Sequence, residues 1–194
     1  MRTLFAMELS VRVDGERIGL VEELRGLVQG VPPGASRRQK QVFFRALSAT
    51  LLRELPFCTR GIWDFSDDAT EARRMFDDYA AVLKTRKGAR AEPSMVAHQG
   101  PMRSSAAALY CNVTFAWLVV SRSLSAQGLA QACRVPNAGL WTRATFTHLL
   151  RLMPNVNPAH VESDVAYVIP GRSHFALTAD DLAGSEFEYL RAIE

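Results

Sequence analysis

Two hydrophobic periods alternate along this chain, and each change of period marks an element. From Leu4 to Val13 the pattern settles into strict alternation, with Glu8, Ser10 and Arg12 on one side and apolar residues on the other. That predicts a strand with one wet face, at or near a sheet edge, closed by the turn residues Asp14-Gly15. Spacings of three and four then take over. Ile18, Val21, Leu24 and Val28 predict a helix that Gly30 and Pro32-Pro33 stop. A second helix opens at Ser36, with Gln39 placed to complete a capping box. Phe43, Leu47, Leu51 and Leu55 form its apolar stripe, Phe44 and Leu52 widen it, and Pro56 ends it. Arg38, Arg45 and Arg53 lie on its other face. Phe57 to Phe65, containing Trp63, fits either a brief strand or a packed loop.

Asp68 and Glu71 begin a third helix with the same kind of cap. Ala72, Met75 (or Phe76), Tyr79 and Leu83 line one side of it. Lys84, Arg86 and Lys87 before Gly88 complement the negative end of the helix dipole. No period survives from about residue 88 to 105, which reads as a long surface loop within one domain. The run from Tyr110 to Val120 is then dominated by β-branched and aromatic residues. It predicts a central strand buried on both faces, with a turn and helix start at Ser121–Ser125.

Shorter elements follow. Helices are predicted at Ser125–Cys133 and Leu140–Met153, and a third strand at Asp164–Ile169. Pro170 to Ser173 turns the chain, and His174–Leu177 fits a returning hairpin strand. Thr178, with Asp181 three residues on, caps a closing helix. The expectation is an α+β protein, one domain over residues 1–194. A single mixed sheet of three to four strands would pack with five to six helices. The Phe43/Leu47/Leu51 and Met75/Tyr79/Leu83 stripes would close on the strand at Tyr110–Val120.

Composition narrows the functional classes. With 194 residues, 48% hydrophobic and 22% charged, the chain can bury a substantial core. A net charge of only +3 is far from the dense positive field of a dedicated nucleic-acid binder. No apolar run reaches the ~18 residues a membrane span needs. Glu8 interrupts the first apolar run before it resembles a leader, so a cytoplasmic location is expected. The three cysteines, Cys58, Cys111 and Cys133, are odd in number and have no paired spacing. They read as reduced thiols packed as small hydrophobes.

Candidate chemistry is sparse. His148 falls in a helix, His160 stands near Glu162 without a second ligand pair, and His98 and His174 fall in irregular stretches. Metal-binding spacing of the usual kinds is absent. Gly171-Arg172-Ser173 begins like a nucleophile elbow, but Phe175 replaces its second glycine. Asp64, Asp67, Asp68, Asp77 and Asp78 are accounted for by a helix start and its solvated side. Basic clusters at Arg37, Arg38 and Lys40, and at Lys84, Arg86, Lys87 and Arg90, lack the interleaved aromatics of single-strand binders. No catalytic, cofactor or metal residue emerges, and no cofactor is expected.

Val113–Val120, Val165–Pro170 and Leu177–Leu182 nevertheless resemble, in order, three segments of one known family. These are its apolar strand, its strand ending in an aromatic and a proline, and its closing leucine-threonine helix. The family is the domain of unknown function shared by thylakoid-associated proteins of cyanobacteria and chloroplasts and by some other bacterial proteins. Leu51-Leu52-Arg53 and the basic end of the helix at Lys84–Lys87 are similar in position to further segments of it. Two departures are expected: the glycine-rich, membrane-anchoring N-terminal region of many members is not read here, and the helix at Leu140–Met153 is extra length. The resemblance implies no catalytic residues. The leading functional expectation is a non-enzymatic interaction, assembly or adaptor module that binds another protein or itself. The alternatives are a small enzyme using Cys58 or Cys111 with a histidine, and weak nucleic-acid binding through the basic helix ends.

Overall fold

The computed structural model describes residues 1–13, 15–32, 34–88, 108–171 and 176–194, with the backbone alone for 82–88. The strands are β1 (Arg2–Arg12), β2 (Cys58–Ser66), β3 (Leu109–Val120), β4 (Val161–Ile169), β5 (Leu177–Thr178) and β6 (Arg191–Ala192). The helices are α1 (Gly19–Gln29), α2 (Arg37–Glu54), α3 (Ala69–Gly88), α4 (Leu124–Ala132), α5 (Arg143–Leu152) and α6 (Ala179–Ala183). The class is α+β, as expected. The sheet is larger than expected and not mixed: among the described residues it has six strands, five in the order β4-β3-β1-β2-β6 with β5 paired to β3, and every pairing is antiparallel. Among the described residues no helix is long and apolar enough to cross a membrane.

Local signals set most of these elements. Ser36 and Gln39 exchange the two bonds of a capping box at the start of α2, and Thr178 and Asp181 do the same for α6. Asp68 accepts from the backbone N–H groups of Thr70 and Glu71 at the start of α3. Ser123 and Thr142 cap α4 and α5; α4 keeps its expected length one residue earlier, and α5 is shorter than the spacing of its apolar residues implied. β3 is buried along nearly its whole length, as its composition predicts.

The largest correction concerns β1. It is not an edge strand: β3 pairs along one side from Arg2 to Arg12, and β2 along the other. Glu8 and Ser10 face a second packed layer instead of water, while Arg12 at the strand's end is exposed. Phe5, Met7, Leu9 and Val11 join α1, α2, α4 and α5 in one core, while Leu4 and Ala6 join α3, α6 and the C-terminal residues in another. The two helical stripes therefore lie on opposite sides of the sheet: Phe43, Leu47 and Leu51 on the first, Met75 and Tyr79 on the second. Strand count was underestimated because Gly61 interrupts the β2 pattern, while β5 and β6 are two residues each. β5 does not form a hairpin with β4. It pairs with Leu109 and Tyr110 of β3. Residues 89–105 of the expected loop, and the turn residues 172–175, lie outside the described residues.

Candidate functional site

Cys58 and Cys111 occupy neighbouring strands on either side of β1, and both are in register with Val11. Both belong to the first apolar core, and the Cys58 thiol donates to the Glu54 carbonyl at 3.6 Å. Burial pushes both thiols up to about 12, and Cys133, at the end of α4, up to about 12 as well. A nucleophilic thiol needs the opposite shift. His160 Nδ1 is hydrogen-bonded to Ser125 Oγ at 2.9 Å, and His148 is exposed on α5. Among the described residues no hydrogen bond joins a histidine to a thiol. His98 and His174 lie outside the described residues.

A measurable consequence follows. Cys58 and Cys111 are expected to resist alkylation at pH 8 in the folded protein and to react once it is unfolded; rapid selective labelling of either would restore the cysteine-enzyme reading. The sign of the pH dependence is fixed as well. A thiol raised from 9.0 to about 12 on folding supports stability fully below pH 9, and that support is lost as pH climbs towards 12.

The other candidates are dispersed. Asp77 pairs with Arg73 and Asp78 with Arg74, both one helical turn apart on the exposed side of α3. Asp67 is exposed. Asp64 accepts a 2.5 Å hydrogen bond from the Tyr79 hydroxyl. Burial first, and then the Asp64 charge, push that phenol above its ordinary range. Lys40 is taken up by an ion pair with Asp164, leaving Arg37 and Arg38 as an exposed pair at the start of α2. The side chains of Lys84, Arg86 and Lys87, all of Arg90, and the Arg172-Ser173 half of the elbow-like motif lie outside the described residues.

A different group of polar residues stands out in three dimensions. On the second face of the sheet, Glu8 of β1 lies opposite Thr114 of β3, and Ser10 opposite Asn112. Each is at most 2% exposed. Asn112 donates from Nδ2 to Glu8 Oε1 at 3.2 Å, and the Tyr189 hydroxyl donates to Glu8 Oε2 at 2.9 Å. Ser10 Oγ, Asn112 Oδ1 and Thr114 Oγ1 have no hydrogen-bond partner among the described residues. Polar groups so fully buried are nearly always bonded, so three orphans in one patch need a reason. In the sequence Glu8 and Ser10 pass for a solvated strand face. Asn112 and Thr114, inside an otherwise apolar strand, are the one signal available.

An open pocket of about 280 Å³ lies elsewhere, between α2 and α5, lined by Leu52, Leu55, Pro56, Arg143, Thr147 and Arg151. Arg143 spends a donor on the Leu55 carbonyl there. Among the described residues no three histidine, cysteine or acidic side chains converge on one point. Comparison with protein-family models, with curated proteins and with solved structures finds no match to this chain.

Proposed function

We propose that this chain is a non-enzymatic interaction module, docking a protein surface through an apolar patch at one end of its sheet. The supporting observation is the convergence there of three exposed large hydrophobic side chains. Met1, Val120 and Leu124 are 71%, 44% and 79% exposed. Arg2 is in register with Val120, Ser121 N–H donates to the Met1 carbonyl, and Ser123 N–H donates to the Val120 carbonyl. These bonds hold the three side chains around one short turn. The Arg2–Glu162 ion pair and the Thr3–Ser121 hydroxyl contact rim the patch. An apolar centre with a polar rim is the usual anatomy of a protein interface.

β1, predicted at or near a sheet edge, is paired on both sides and offers no free edge to a partner. Kinship with the thylakoid-associated family belongs to the same proposal. It rests on the resemblance of segments that fold here as β3, β4 and α6.

Size-exclusion and cross-linking of wild type and a Val120→Asp/Leu124→Asp variant provide the test. Association, with itself or with a captured protein, is expected to weaken by at least about tenfold, since central apolar anchors dominate interfaces. The melting curve should barely move, because both side chains face water. A wild type that stays monomeric and retains no partner would sink the reading. So would a variant that associates as strongly as wild type.

A further inference from the structure

Three oxygens of the second-face cluster, Ser10 Oγ, Asn112 Oδ1 and Thr114 Oγ1, are buried without a hydrogen-bond partner among the described residues, and their placement limits what can satisfy them. Direct cross-strand neighbours have β-carbons ~4.5–5.5 Å apart, and diagonal neighbours ~7–8 Å. Glu8, Ser10, Asn112 and Thr114 therefore share a patch that one small guest can touch at several points. Asn112 commits its amide nitrogen to Glu8, which turns Oδ1 to the other side of the amide. That oxygen only accepts, so its guest must be a hydrogen-bond donor or a cation. Beside it stand two unbonded hydroxyl oxygens and, one residue pair along, a carboxylate. A carboxylate, an amide carbonyl and two hydroxyls form an all-oxygen set of the kind that hard cations take, with no sulfur or imidazole to favour zinc or copper.

Tyr189 supplies the route. Tyr189 is 41% exposed, yet its hydroxyl reaches the buried Glu8 carboxylate at 2.9 Å. The side chain thus runs from the surface to the cluster and stoppers it. We propose that Glu8, Ser10, Asn112 and Thr114 form a buried site for a small hard cation, entered past Tyr189. The two strands supply ligands from one hemisphere, and water completes the remaining positions, as hard cations allow. The site lies apart from the Met1/Val120/Leu124 patch and does not depend on the interaction reading.

The test uses the whole chain after chelator treatment. Thermal melts are recorded with Na⁺, K⁺, Mg²⁺ or Ca²⁺ at matched ionic strength, together with Tb³⁺ luminescence excited through tyrosine. At least one ion is expected to raise the melting midpoint saturably. Thr114→Val and Ser10→Ala, which nearly preserve shape, should each weaken that response by about tenfold or more, and Tyr189→Phe should speed Tb³⁺ entry. Using two ligand variants keeps the test decisive if one folds poorly. The proposal is overturned if no ion moves the midpoint or the luminescence. It is equally overturned if both ligand variants respond as wild type does; the three oxygens would then serve ordinary internal water.

Discussion

Replacing Trp117 with Ala is expected to destabilise the protein by about 3–5 kcal/mol, the usual cost of deleting a large aromatic from a packed core. Trp117 is only 1% exposed and stands mid-strand on β3. Its ring centre lies 4.6 Å from that of Phe44, 5.2 Å from Phe115 and 5.9 Å from Phe5. α2 is thereby joined to both central strands through one side chain. Tilted aromatic pairs contribute beyond the area they bury, so the cavity left behind is lined by rings that have lost their partner. In a chain of this size each kcal/mol lowers the melting midpoint by roughly 2–4 °C, which puts the expected drop near 10 °C or more. Urea or thermal unfolding followed by circular dichroism reads it directly. Wild-type melting would mean that β3 is not the element on which the first layer closes.

Gly61→Val is expected to cost about 1–3 kcal/mol, near the upper end, for the opposite reason: crowding instead of a void. A β-carbon at this position would stand 2.9 Å from Leu9 Cδ2, 3.0 Å from Phe146 Cζ and 3.1 Å from the Glu8 carbonyl oxygen. Two of those atoms belong to side chains with no solvent exposure, so neither can swing aside freely. Ordinarily a glycine inside a strand weakens it, and adding a side chain helps. The sign is therefore diagnostic. Even Gly61→Ala should lower the urea midpoint, and a rise would show that Leu9 and Phe146 leave room for a β-carbon.

Gly61 also illustrates why part of the fold was illegible in the sequence. It breaks the hydrophobic period of β2 for a packing reason, since α5 comes too close for any side chain, and the broken period hid a full strand. β3 was legible because its composition alone demands burial on both faces, and α2 and α6 because their capping boxes are local. The position of β1 was not. Alternation reports that two faces differ, but it does not distinguish water from a buried polar layer, and Glu8 and Ser10 looked solvated when they are sealed. The candidate site was hidden by distance along the chain, because Asn112 meets Glu8 across 104 positions. Asn112 and Thr114 within an apolar strand were the residues to question.

The placement of Val11 between Cys58 and Cys111 decides what oxidation can do to this molecule. Two inter-strand steps of ~4.7–4.9 Å hold the sulfur-bearing residues roughly 9–10 Å apart, beyond the ~7 Å that a disulfide can bridge. An oxidising milieu and a reducing one would therefore leave this pair in the same covalent state unless β1 were first pulled from the sheet. Their bare thiols bear no witness to the compartment in which the protein works.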